Sequence, residues 1–328
     1  MTHSEYKEKA REHQIRFREE VLNIPLWRSP KRTLRWIDKN GVSQEKVIRV
    51  KSSLYYCDAK DDNGYVIFYP VFRKEITDAV DKSSLSTKGQ MVTNLLRSEH
   101  IPYNIFFPMQ YDLEGAKVLF NSLLGYKRIS SIERIVIEYN PGGLKDGTAF
   151  DVYVEYRTSE NKLGGIGIEV KYTEKEYPIK KDTKEWNETH DNGQIHLADN
   201  YRVPSFESGW FNEVCISDAP ISTKNHVVAN KFRQIWRNHL LGASMILNNQ
   251  LSEFTSLTVY PEGNVHFKEV LPDYEENILT DKGRDTFKYK SYEELFSLME
   301  ESLNPTLISN LNDWICYLRQ RYIVKPVG

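Results

Sequence analysis

Residues 148–174 read TAFDVYVEYRTSENKLGGIGIEVKYTE, and this stretch decides the architecture. Apolar and polar side chains alternate from Phe150 to Tyr156 and again from Ile166 to Val170, the period of strands, with a polar turn, TSENK, between them. Phe150, Val152 and Val154 therefore share one face, and Asp151, Tyr153 and Glu155 the other. In the second strand Ile166, Ile168 and Val170 oppose Gly167, Glu169 and Lys171. Pairing Tyr156 with Gly164 sets Asp151 opposite Glu169, on one face, with β-carbons about 5 Å apart. Two like charges so placed destabilise a sheet unless a cation lies between them.

A divalent cation resolves that conflict. Mg²⁺ takes oxygen ligands and is commonly held by one or two carboxylates with water and substrate phosphate. Lys171, one pleat beyond Glu169, reaches toward a bound water or a scissile phosphate. Acid, acid and lysine together are what metal-assisted phosphodiester hydrolysis needs. The plainer reading is a solvated, cross-paired surface strand. Against it stand the central character of both strands, the apolar GIGIEV, and Gly167, which is expected to clear space for a ligand beside Glu169.

The pattern FD followed 18 residues later by EVK resembles the PD-(D/E)XK nuclease superfamily, with Phe150 where the nominal proline would stand. LLRSEHIPYNIFFPM (95–109) and EVKYTE resemble a bacterial subgroup of restriction-type nucleases. The resemblance implies an α/β fold: a restriction-endonuclease-like α/β/α core around a mixed sheet, with helical and strand extensions at both ends. It implies Asp151, Glu169 and Lys171 as catalytic residues. Asp151 and Glu169 would bind Mg²⁺ (or Mn²⁺), with the Val170 carbonyl completing the shell and Glu99 as a candidate extra acid from the preceding helix. QIWRNHLL (234–241) resembles the helix after the core, which offers Gln234, Arg237 and Asn238 to the substrate. Arg237 suits a phosphate, and a structural salt bridge is the alternative. Glu155 and Glu174 are expected to support the ligands, and Glu133 and Glu138 are weaker candidates. The resemblance covers roughly 85–260.

Residues 1–84 are expected to be an N-terminal extension of helix plus hairpin, 85–260 the nuclease core, and 261–328 a helical extension packed on it, all in one compact domain. The helix is placed at 3–22 and the hairpin at about 46–73, turning at KDDNG. The pattern is helical from Ser84 to Gly125. Strands follow at 132–140, 148–156 and 165–173, then an irregular polar excursion over 174–210. A strong helix covers 225–247, and FTSLTVYPEGNVHF reads as a strand or strand pair before a helical tail.

The 328 residues carry 44 basic and 46 acidic side chains, net −2, so a polyanion must be met by a local basic patch. Three scattered cysteines without a CxxC pair fit a reducing cytoplasm and argue against a zinc knuckle. No apolar run is long enough to span a membrane, and no GxxxxGK[ST] loop points to a nucleotide cofactor. His190 and His196 lie in a polar loop without a third ligand, and His239 faces the core or assists the site.

These readings converge on a Mg²⁺-dependent nuclease acting on DNA in bacterial restriction or phage defence. WRSPKRTLRW (27–36), with four basic residues between two tryptophans, is expected to contact the backbone, with a surface loop as the alternative. A near-neutral chain suggests a partner protein or second subunit for substrate delivery. The alternatives are a catalytically silent nucleic-acid-binding or assembly subunit of the same fold, and a nuclease directed at RNA.

Overall fold

The computed structural model describes residues 1–324 except 84, 126, 127, 307 and 309. The boundary placed at 84 and the extreme C-terminus at 328 thus lie outside the described residues. The elements that matter for the site are the helices α1 (His3–Glu20), α2 (Ile101–Phe106), α3 (Leu113–Leu124), α4 (Arg233–Leu247), α5 (Val265–Asp273), α6 (Tyr292–Ser302) and α7 (Leu311–Tyr322). The strands are β1 (Lys31–Ile37), β2 (Ser43–Arg49), β3 (Ile129–Tyr139), β4 (Phe150–Thr158), β5 (Leu163–Val170), β6 (Glu253–Tyr260) and β7 (Phe287–Ser291).

Five strands form the central sheet in the order β7-β6-β5-β4-β3. β3, β4 and β5 run as an antiparallel meander, and β6 and β7 add in parallel, so the sheet is mixed. Tyr156 pairs with Gly164 and Val152 with Ile168, the register expected from the turn. Both strands of the deciding stretch are interior, so neither carries an open edge.

The side chains fall into two cores, by alternation except at Phe150, whose expected face is that of Val152 and Val154 but which, as the strand's first residue, packs with Tyr153 and Phe254 instead. Val152, Val154, Ile166, Ile168 and Val170 pack with residues of α1, α3, α6 and α7, while Phe150, Tyr153 and Phe254 pack with α4. Helices cover both faces, an α/β/α sandwich. Local chemistry starts and stops these helices. Thr2 and Glu5 form a capping box on α1, and Ser291 and Glu294 do the same on α6. Asp112 caps α3 through the Gly115 amide, and Gly125 closes it with φ +72°.

Several expectations need correction. The hairpin placed at 46–73 lies earlier, as β1 and β2, and only a two-residue ladder, Lys60–Asp61 with Gly64–Tyr65, surrounds the KDDNG turn. Consecutive Ile67, Phe68 and Tyr69 are all buried, which a half-solvated strand cannot achieve, so the chain turns there into a helix at Arg73–Lys82. The excursion over 174–210 is not wholly irregular, since it holds helices at Lys184–Asn187 and Asp199–Glu207. FTSLTVYPEGNVHF is one strand followed by α5, because Pro261 ends β6. The edge strand β7, FKYKS, was hidden by its half-exposed, lysine-rich pattern.

Candidate active site

Glu169 sits at the end of β5, 3% exposed, and Asp151 at the start of β4, one strand away. The register sets them opposite each other, and both line a single cleft of about 1050 Å³. Asp151 Oδ2 accepts the Val170 amide at 2.7 Å, which fixes its carboxyl against the neighbouring strand. Glu169 accepts from the Lys171 ammonium on one oxygen and from the Asn238 side-chain amide on the other. Lys171 is itself buried. Burial, then the neighbouring Glu169 and Glu138, holds the Asp151 carboxyl well above the usual range. Burial also raises Glu169, against the opposing pull of Lys171. Like charges crowded in a low dielectric produce this direction.

The backbone around Lys171 is clamped from several directions. Its amide donates to the Val259 carbonyl at 2.9 Å, and its carbonyl accepts the Tyr292 hydroxyl at 2.6 Å. Gln14 of α1 donates to the Tyr172 hydroxyl at 2.8 Å, and Asn264 donates to the carbonyls of Tyr172 and Glu174 at 2.9 and 3.0 Å. Glu174 also lines the cleft, and its carboxylate accepts the Tyr172 amide at 2.7 Å. The strand exit that carries the lysine is therefore held by both ends of the chain.

Other expected residues divide. Glu99 and Gln234 line the cleft. Glu99 comes from a turn before α2 rather than from a helix, and it is in an ion pair with Arg97. Arg237 does not line it freely for phosphate: its guanidinium meets Asp146 at 2.7 Å, Glu185 at 2.8 Å and Thr148 at 2.6 Å, the salt-bridge alternative. Asn238 is buried against Glu169 and so reaches the acid rather than the substrate. Glu155 lies four residues along β4 from Asp151, about 13 Å away. There it pairs with Arg134 at 2.9 Å and takes no part in the cleft. Glu133 is near Arg157 at 3.9 Å, on the same outer edge. The Val170 carbonyl, the expected third donor, belongs to the peptide whose amide, that of Lys171, donates to the Val259 carbonyl, while the Val170 amide donates to Asp151.

Gly167 needs a different explanation from the expected one. A β-carbon there would collide with the rings of Phe150 and Phe254, so the glycine admits core aromatics, not a ligand.

Glu138 gains weight. It lies on β3 between Ile137, paired with Val152, and Tyr139, paired with Phe150, so it stands opposite Asp151. Three carboxylates thus cross three adjacent strands in a row. Glu138 holds a backbone φ of +56°, uncommon for a residue with a β-carbon. Burial, then Glu169 and Glu99, pushes its carboxyl up to about 7. The signal in the sequence was the alternation of IERIVIEY, which puts Glu138 on the acidic face once β3 is known to pair with β4.

Among the described residues no three His, Cys, Asp or Glu side chains form a ready-made metal cluster. The Asp151–Glu169 pair still suits a hard cation completed by water and substrate oxygens. Asn238 Oδ1, buried beside Glu169 without a hydrogen-bond partner, is an orphaned oxygen at the same place. The histidines set aside stay apart from it. His190 stacks on Trp186, His196 pairs with Asp218 at 3.0 Å, and His239 is a core residue bonded to Thr286. Burial lowers His239 to about 3, so it is neutral.

The cleft carries charges of both signs. Lys7, Arg11, Arg32, Arg49 and Lys51 come to it from α1 and the hairpin, with Glu8 paired to Arg11, while Glu99, Asp151, Glu169, Glu174 and Glu176 line it together with Arg97 and Lys175. That arrangement offers cations to phosphates and acids to a metal. Among the described residues no helix is long and apolar enough to cross a membrane.

No curated protein and no solved structure matches the chain. A family model does, that of the PD-(D/E)XK nuclease superfamily, over residues 2–324, so the likeness extends through both flanks and well beyond 85–260. Members of this superfamily are usually nucleases and generally use divalent metals. The mixed five-stranded sheet between helices is the restriction-endonuclease-like fold. The match covers nearly the whole described chain, and the protein belongs to the PD-(D/E)XK nuclease superfamily.

Proposed function

We propose that this protein is a Mg²⁺-dependent nuclease that hydrolyses phosphodiester bonds of DNA. One observation carries the reading: Asp151 and Glu169 stand opposite each other on interior strands, in a cleft that basic residues of α1 and the hairpin also line. Asp151 and Glu169 would hold the ion, with the Val170 carbonyl as a further oxygen. The ion supplies charge neutralisation at the phosphate and a more acidic water. Lys171, held on Glu169, orients the attacking water and stabilises charge on the phosphoryl oxygens as the phosphorus–oxygen ester bond breaks. Asn238 fixes the Glu169 carboxylate, and Arg237 holds the base of α4 through Asp146 and Glu185. Gln234, Glu99 and Glu174 line the path of the substrate.

A restriction or phage-defence setting, and the cytoplasm as its place, follow from the resemblance and from the sparse, unpaired cysteines. The test is incubation of the purified protein with linear, circular and single-stranded DNA and with RNA, in Mg²⁺, Mn²⁺ or EDTA. Cleavage of DNA that needs the metal and is lost in Asp151→Asn and Lys171→Ala, by roughly 10²-fold or more, supports the reading. Metal-independent DNA binding without cleavage would identify a silent member of the fold. Cleavage confined to RNA would move the substrate.

A further inference from the structure

The β1–β2 hairpin is a ribbon with every strand residue but Ile48 exposed, and it carries apolar side chains that a soluble protein ordinarily covers. Trp36 is 47% exposed, Ile37 74% and Val47 58%. Isolated two-stranded hairpins are marginal in water, so such a ribbon is expected to find a surface. Its charge says which kind. Residues 27–51 hold eight basic and two acidic side chains in a chain whose net charge is −2. The rest of the molecule is correspondingly acidic.

Register divides the ribbon into two faces. Arg32 pairs with Ile48, Leu34 with Lys46 and Trp36 with Gln44, and these six share one face. The Arg32–Ile48 rung also lines the cleft that contains Asp151 and Glu169. The same face therefore continues out of the cleft for two further rungs, about 14 Å. The opposite face carries Lys31, Arg49, Val47 and Ile37, with Arg35 paired across the strands to Glu45 at 3.4 Å. The first face is the one on which Leu34 and Trp36 continue the cleft-lining Arg32–Ile48 rung.

From this geometry we infer that the ribbon is an arm that enters the major groove of duplex DNA, with the Arg32–Leu34–Trp36–Lys46 face against the nucleic acid, and feeds the duplex into the cleft. The inference deepens the nuclease reading and rests on it for the identity of the cleft. A B-form major groove, about 12 Å wide, admits a two-stranded ribbon, whereas the deep, narrow major groove of A-form RNA does not. Arg32 and Lys46 meet phosphates at the groove wall, and Leu34 and Trp36 give contact with base edges and thymine methyl groups. A ribbon from a second copy would set like charge against like.

The experiment measures binding of the full-length protein to a fluorescent 30-base-pair DNA duplex in EDTA over a range of NaCl concentrations. Omitting metal separates this outcome from cleavage, which tests the nuclease reading. Arg32→Ala/Lys46→Ala is expected to weaken binding about 10–100-fold and to reduce the salt slope by about 2. Trp36→Ala weakens binding with the salt slope unchanged. Arg35→Ala, on the other face, changes affinity less than about 3-fold, and an RNA duplex of the same length binds at least about 10-fold more weakly than DNA. All these side chains are exposed, so circular dichroism and melting temperature should match the parent. The inference is overturned if the double variant binds as the parent does, if the parent does not bind duplex DNA, or if an RNA duplex is bound as tightly and loses as much. It also falls if sedimentation shows Leu34→Asp dissociating a dimer while DNA affinity is unchanged.

Discussion

At the scale of single residues, the site is a crowd of acids held by neutral and cationic neighbours. Glu138 has its carboxyl pushed up to about 7 from an ordinary 4.5. The folded protein then holds this proton more tightly than the unfolded chain does, so stability present below about 4.5 is lost as pH rises through 7. Asp151 and Glu169 shift in the same sense. Buried His226 and His239, lowered by burial to about 4 and 3, act in the opposite sense below about 6.5. The clean readout is therefore a difference. In EDTA, Glu138→Gln is expected to melt progressively higher than the parent as pH goes from 5 to 8, and Mg²⁺ should narrow that gap. A gap independent of pH would show Glu138 to be ordinary. Asn238 is the second residue to test. Its amide secures Glu169, and groups that orient metal ligands typically cost 10–100-fold in metal affinity or activity when removed. Asn238→Ala is expected to weaken Mn²⁺ binding, read by calorimetry, by roughly that factor, with Asn238→Asp failing to restore it because it adds a like charge.

At the scale of elements, what was legible depended on whether one strand or a pair of elements decided the matter. The β4–β5 register followed from alternation and one turn, so the opposition of Asp151 and Glu169 could be read directly. The face of α4 was equally legible, since Ile235, Trp236, Leu240 and Leu241 recur at helical spacing and are all buried. The partners of α4 were not. Arg237 finds Asp146 and Glu185, some 91 and 52 residues away, and nothing local announces such a pairing. Gly167 is the same kind of case: its neighbours Phe150 and Phe254 come from strands on either side, so its role emerges only when the sheet is assembled. Gly242 on α4 is closed by Phe254 as well. A helix prefers alanine over glycine by about 1 kcal/mol, but overpacking costs about 1–3 kcal/mol. Gly242→Ala and Gly167→Ala should therefore both lower stability in denaturant titrations. A stabilised Gly242→Ala would mean that Phe254 moves aside freely.

At the scale of the whole molecule, the flanking segments supply part of the frame of the site. Tyr6, Ala10 and Phe17 of α1 join a single core with Val152, Ile168, Leu257 and Trp314. Gln14 and Tyr292 bond the Lys171–Tyr172 segment from opposite ends of the sequence. This supports a chain that folds as one unit rather than as a core with dispensable ends. If so, full-length protein unfolds in one transition, with far-UV circular dichroism and tryptophan fluorescence coincident, because Trp236 lies in the core on one side of the sheet and Trp314 in the core on the other. A fragment of residues 85–260 loses α1, α6 and α7, exposing the apolar face of β4 and β5, and is expected to be insoluble or to unfold without a cooperative transition. Tyr292→Phe keeps the packing and removes only the bond to the Lys171 carbonyl, at a cost of about 1 kcal/mol. Its melting temperature should fall by a few degrees at most, while cleavage falls further, because the lysine it positions is no longer held. A soluble 85–260 fragment with a sharp transition and the parent's Mn²⁺ affinity would instead make the flanks accessories, and the clamp on Lys171 irrelevant to how the site is built.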